Sequence, residues 1–304
     1  MSRFGKLAVT TVAATLVLIG LGGFVRAMEA GLGCPDWPTC HGSLNPPSSL
    51  GYGALKLAWI EHSHRLWAAV LIGLIVWLAI AARSQPRHVR VVCWWLVPAV
   101  LSQAVIGAFV VWLKLDASSV VLHLTGAMTV LALAVWVALT QVAPAAERTS
   151  LGALPAVTIA VTDGQMLLGS AVTGWSAGLA YGTFPSFNGR ALPPAVRTTQ
   201  QVLHVAHRFT AYVVVLLVVA LYLRARRSAD RLVRTTSLVA VALVVVQVAL
   251  GALNVWFRLK AWSVTPHLAV GSWIVTALLV VVYRTYGAPA AERTIALQPA
   301  PAAA

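Results

Sequence analysis

Apolar residues arrive in long runs separated by short polar stretches. Eight runs fall near 7–25, 59–82, 91–113, 118–141, 151–174, 201–223, 236–257 and 263–283. A helix crosses about 30 Å of hydrocarbon with roughly 20 apolar residues. Each run is therefore predicted to be a transmembrane helix. The first follows Arg3 and Lys6 and has the look of a signal peptide, but the stretch Gly22-Gly23-Phe24-Val25-Arg26 lacks a small-x-small cleavage pattern. It is expected to be a retained helix.

Composition supports lipid as the main solvent. The chain has 304 residues, 59% of them hydrophobic and only 10% charged, too few charges to cover a soluble surface. A net charge of +14 would suit nucleic acid, but the basic residues are scattered between apolar runs. That pattern fits membrane borders and excludes a nucleic-acid partner. With the N-terminus inside, thirteen Lys and Arg fall in inner segments against seven in outer loops. The cluster Arg224, Arg226, Arg227, Arg231 and Arg234 weighs most, so both termini are predicted to be cytoplasmic. The Pro/Ala-rich stretch 287–304 reads as a disordered tail.

Polar residues inside the pattern recur. Ala30-Gly31-Leu32 returns as Ala177-Gly178-Leu179, and Pro38…Gly42 as Pro185…Gly189, at an offset of 147. His64-Arg65 returns as His207-Arg208 at 143, while Gln103…Gly107-Ala108 and Trp112…His123 return as Gln247…Gly251-Ala252 and Trp256…His267 at 144. The repeat relates helices 1–4 to 5–8, an even number of crossings, so its axis should run along the membrane normal. The expected fold is an all-α membrane protein, with eight transmembrane helices as two pseudo-twofold-related four-helix bundles. The first bundle would span 1–145 and the second 146–286. Gly107-Ala108 and Gly251-Ala252 should let backbones approach closely, and Gln103, Gln165 and Gln247 read first as interhelical hydrogen-bonders.

Eight histidines punctuate the chain. His41 and His88 are placed in loops, as solvated residues. His64, His123, His207 and His267 fall on helices 2, 4, 6 and 8 at similar depth. Ionisable groups inside a bilayer are costly and usually functional. One such histidine could simply be packed; two at matching depth in each of two repeated bundles make a ligand geometry. Zinc normally takes four ligands, whereas two neutral imidazoles in an apolar bundle suit haem iron. A proton relay in a transporter is the other reading.

Glu61 lies three residues before His64 and shares its helix face, and His204 occupies that place in the second half. A carboxylate beside a bound cofactor can take a proton, stabilise positive charge or act as a nucleophile. A salt bridge to Arg65 is the competing account. His62 is turned away from His64 and reads as structural. Arg65 and Arg208 suit either haem propionates or snorkelling at the interface. Cys34 and Cys40 flank Pro-Asp-Trp-Pro-Thr in an outer, disulfide-permissive loop. Tyr181 and Phe187 replace them in the second half, and a structural disulfide and a redox-active pair both stay open. Cys93 reads as inert, and Asp163, mid-span in helix 5, must face the interior or a partner.

The segment Gly31-Leu32-Gly33-Cys34-Pro35-Asp36-Trp37-Pro38-Thr39-Cys40-His41-Gly42, with Glu61-His62-Ser63-His64-Arg65, His123, His207-Arg208 and His267, resembles the haem A synthase family. The likeness covers residues 7 to about 285. It implies a plasma-membrane enzyme that oxidises the C8 methyl of haem O to the formyl group of haem A, by two hydroxylations to a geminal diol that loses water. His64 and His123 would bind the haem O or haem A iron, with Glu61 as the catalytic carboxylate. His207 and His267 would bind the iron of a haem b cofactor, and Cys34 and Cys40 would match a loop disulfide. Implied partners are a haem O synthase, terminal oxidase assembly and an electron acceptor of unspecified chemistry; homo-oligomerisation is left open. A dihaem cytochrome oxidising quinol and a haem or metabolite transporter are the rival classes. A haem prenyltransferase would need Asp-rich motifs, and the whole chain has eight acidic residues.

Overall fold

The computed structural model describes residues 1–143 and 151–286. The tail expected over 287–304, and the inner-loop Arg148 and Arg293 used in the charge count, lie outside them. Among the described residues there are eight α-helices: α1 Arg3–Ala27, α2 Tyr52–Ala81, α3 Arg87–Trp112, α4 Ala117–Val142, α5 Leu154–Gly174, α6 Thr199–Ala225, α7 Arg231–Trp256 and α8 Ala261–Tyr286. No strand forms among them beyond two isolated bridges, Cys40 with Ser43 and Phe187 with Arg190.

Most helices overrun their apolar runs, because helix continues into the polar border until a cap stops it. Asp116 receives Ser118 N and Ser119 N at the start of α4, and Thr198 and Gln201 form a reciprocal capping box on α6. His88, expected in a loop, sits in the first turn of α3, its ring edge-on to Trp136. Seven of the helices are long and apolar enough to cross a membrane; α5 is the exception. At 21 residues it is long enough, but Thr158, Thr162, Asp163 and Gln165 interrupt its apolar run.

In the first half α1 packs on α2 and α4, and α3 on α2 and α4; in the second, α5 packs on α6 and α8, and α7 on α6 and α8. The halves meet through α1 with α8, α4 with α5 and α4 with α8. One apolar core gathers Leu71, Ile75, Leu78, Leu96 and Val137, and another Val218, Leu221, Val233, Leu278 and Val281. A third, with Ile19, Leu131 and Tyr283, fills the seam. The two half-cores lie toward one end of the helices, and the four ligand-candidate histidines lie beyond them toward the other. Large apolar side chains such as Trp77, Leu216 and Val245 face outward, at 62%, 69% and 65% exposure. Such a surface needs lipid.

Asp230 fastens the end of the second half nearest its core. Its Oδ1 accepts from Leu232 N and Val233 N at the start of α7, and its Oδ2 pairs with Arg284 of α8 at 2.6 Å. Asp230→Ala removes a cap and the carboxylate facing a buried arginine, and should cost about 2–4 kcal/mol. A lowered unfolding midpoint in detergent checks this; an unchanged midpoint would refute it.

Candidate functional site

Each of the four imidazoles faces a glycine on the neighbouring helix. A Cβ on Gly22 of α1 would lie 3.2 Å from His64 Cε1, and one on Gly169 of α5 3.0 Å from His207 Cε1. The same holds for Gly107 of α3 with His123 (3.4 Å) and Gly251 of α7 with His267 (3.3 Å). A side chain there would come close against the ring, most tightly at Gly169. The imidazoles also pair, His64 with His123 and His207 with His267, each pair close enough to interact electrostatically. Nδ1 of His64, His123 and His267 is sealed from solvent without a hydrogen-bond partner among the described residues. Gln165 Nε2 lies 3.1 Å from His207 Nδ1, and Gln247 Nε2 3.3 Å from His267 Nε2, interhelical contacts of the kind expected for these glutamines. No group of three or more His, Cys, Asp or Glu placed to hold a metal ion occurs among the described residues. The donor set is thus two imidazoles per half in an apolar setting, which fits the axial positions of haem.

The loop between α1 and α2 is tied down beside the first pair. Cys34 and Cys40 form a disulfide, both fully buried. Cys34 N donates to Glu61 Oε2 at 2.8 Å, and Arg65 Nη2 meets Glu61 Oε1 at 2.5 Å. Both carboxylate oxygens are therefore engaged, and the salt bridge anticipated for Glu61 is present. Arg65 further donates to the carbonyls of Asp36, Thr39 and Cys34, each at 2.9 Å. Asp36 shapes the loop itself. Slight burial works against its charge, but hydrogen bonds from Thr39 Oγ1, Gly42 N and His41 N hold its carboxyl down at about 2. His41 stays in the loop, exposed, its Nε2 2.9 Å from Gly33 O.

The second half repeats this arrangement with different residues. Arg208 donates to the carbonyls of Thr183, Ser186 and Tyr181 at 2.8, 3.0 and 3.2 Å. His204 takes the place of Glu61: Tyr181 N lies 3.3 Å from its Nδ1 and Arg208 Nε 3.0 Å from its Nε2. Where the first loop has a disulfide, Tyr181 and Phe187 pack edge-on at 5.1 Å. Arg208 is only 5% exposed, so snorkelling does not describe it.

The remaining candidates stand apart from these sites. His62 is buried against Trp59, with Nε2 3.2 Å from Asn45 Oδ1. Cys93 is buried in the first apolar core. Asp163 Oδ1 is buried without a hydrogen-bond partner among the described residues. Sequence reasoning missed the glycine opposite each histidine, although Gly22 and Gly169 keep the same 147-residue offset as the loops. It also missed the loop carbonyls that the arginines hold.

Fold and site together define a multi-pass helical membrane protein with paired imidazoles gathered toward one end of its helices. The chain belongs to the cytochrome oxidase assembly protein family, whose model matches residues 5–279. It is similar to the Heme A synthase of Shewanella oneidensis, 27% identical over 90% of this chain and 94% of that one. The Heme A synthase of Bradyrhizobium diazoefficiens is 27% identical, over 95% of this chain and 93% of its own. That of Methylorubrum populi is 25% identical, over 91% and 85%.

Gly169→Ala should push the His207 ring aside, an overpacking cost of about 1–3 kcal/mol. Haem retained by the purified protein should then fall. Gly164→Ala on the same helix, where nothing lies within 4 Å of the new Cβ, should retain it. Equal retention in both variants would remove the glycine–imidazole contact from the account.

Proposed function

We propose that this chain oxidises the C8 methyl of haem O to the formyl group of haem A in its N-terminal half, with a haem b resident in its C-terminal half. The whole-length likeness to Heme A synthases supports the reaction. The observation that carries the division of labour is the difference in ionisable residue at matching positions, Glu61 in the first half and His204 in the second. A pure electron-transfer cytochrome has no use for that difference.

The halves are taken as bundles 1–145 and 146–286, eight spans in all, related by an axis along the membrane normal. Arg26 Nη2 donates to Thr173 O at 3.1 Å, and these two positions are themselves separated by the 147-residue offset. A residue that touches its own repeat equivalent sits on the axis of a twofold interface. Both termini are placed in the cytoplasm and the cysteine loop outside the plasma membrane, where a disulfide can persist.

His64 and His123 would hold the substrate iron, and His207 and His267 that of haem b, which supplies electron transfer when bound. The glycines opposite the rings set their orientation. Glu61, one turn from His64, places a carboxylate beside the substrate pair. Each of its oxygens keeps a second lone pair, so it can accept a proton while Arg65 and Cys34 N hold it in place. The product passes to terminal oxidase assembly, the substrate comes from a haem O synthase, and a further acceptor removes the electrons.

Glu61→Gln keeps one acceptor oxygen for the loop but removes charge and basicity. General-base roles are worth about 10²–10⁴ in rate, so the variant should bind haem O yet stall before haem A. A trapped hydroxylated intermediate would place Glu61 in the second oxidation, and unreacted haem O in the first. Unchanged haem A output at equal protein level would leave Glu61 as a salt-bridge partner alone.

A further inference from the structure

We propose that Arg65 and Arg208 are positioning residues that hold the two outer loops shut over the imidazole pairs, aimed by Glu61 and His204. The inference rests on the reading that those pairs bind haem. It offers an alternative to a direct propionate contact for the same arginines.

The geometry is the same in both halves. Each guanidinium collects three loop carbonyls: Cys34, Asp36 and Thr39 in one case, Tyr181, Thr183 and Ser186 in the other. Every one of these positions repeats at an offset of 147. With Glu61 added, Arg65 makes four N–H···O contacts, all within the protein. A planar fork can span such a set; a lysine ammonium is a point donor and cannot.

Each loop is also tied on the far side of its bundle. Trp37 packs edge-on to Trp112, the last residue of α3, at 6.3 Å. In the second half Phe184 meets Trp256, the last residue of α7, at 6.4 Å, and Trp256 Nε1 donates to Phe184 O. The loop thus runs from the arginine on α2 or α6 across the bundle mouth to α3 or α7. That course lies at the end of the helices toward which the imidazoles lie.

The two locks differ in the residue that aims the arginine. A loop amide and a guanidinium N–H face position 61, and the same two donors face position 204. A carboxylate accepts from both, whereas a neutral imidazole has a single acceptor nitrogen. The donor set at His204 therefore suits a carboxylate better than the residue it holds. Rings make up part of the difference, with the Arg208 guanidinium 5.0 Å from the Phe187 centroid and 5.6 Å from that of Phe184.

Amide hydrogen exchange on the full chain in lipid nanodiscs reads the locks without any need for turnover. Arg65→Lys should speed exchange over 34–42 about tenfold and leave 181–189 alone, and Arg208→Lys should do the reverse. His204→Glu, which gives both donors an acceptor, should slow exchange over 181–189. Lysine keeps a cation beside Glu61, so with haem O as substrate Arg65→Lys should raise KM by more than it lowers kcat. Lost haem with unchanged loop exchange would overturn the proposal in favour of a propionate contact. Faster exchange in His204→Glu, or a collapse of kcat at constant KM in Arg65→Lys, would also overturn it. A chain that made no haem A would still show the loop effects, so the two readings fail separately.

Discussion

An imidazole inside an apolar bundle gives up water and must be given space and a partner in return. Four such rings govern how these helices meet. Each lies against a glycine whose added Cβ would stand only 3.0–3.4 Å from the ring, so helix spacing and ring position are set together. Three of the rings keep a sealed Nδ1 without a partner among the described residues. An unpaired buried nitrogen is costly. The apolar cores of the two halves lie away from the rings, so packing stability and the candidate chemistry occupy different ends of the same helices.

The two loops follow matching backbone paths, and they differ in what fastens them. The turn that begins each loop places Glu29 and Ser176 in the left-handed region, and the loop tips place His41 and Asn188 there, followed by Gly42 and Gly189. The backbone path is thus held in common while its fastenings changed. A disulfide and a carboxylate serve the first loop; edge-on rings and an imidazole serve the second. In the proposed division of labour, the half with the carboxylate handles the substrate.

Much of this was legible in the sequence. Eight apolar runs became eight helices, and the 143–147 offsets picked out the histidines before any contact was known. The Glu61–Arg65 bridge follows from i, i+4 spacing on a helix. What was hidden depends on rotation and on loop path. The contact of Gly22 with His64 requires knowing which face α1 turns to α2. The carbonyls gathered by Arg65 depend on left-handed turns that one residue type alone does not announce. His88 was misplaced because Arg87 and His88 follow a proline, which reads as loop but here only starts a helix. Helix α5 shows the converse: it forms despite a polar middle, because α4, α6 and α8 pack around it.

The central claim is that the two imidazole pairs hold haem unequally, one as a resident carrier and one as a site of exchange. Low-spin haem absorbance per purified chain, in variants carrying alanine at one histidine each, measures this directly. Loss of most of the absorbance with His207→Ala or His267→Ala, and a smaller loss with His64→Ala or His123→Ala that nonetheless abolishes haem A formation, is the predicted result. Equal losses from all four positions would contradict it and favour an electron-transfer cytochrome.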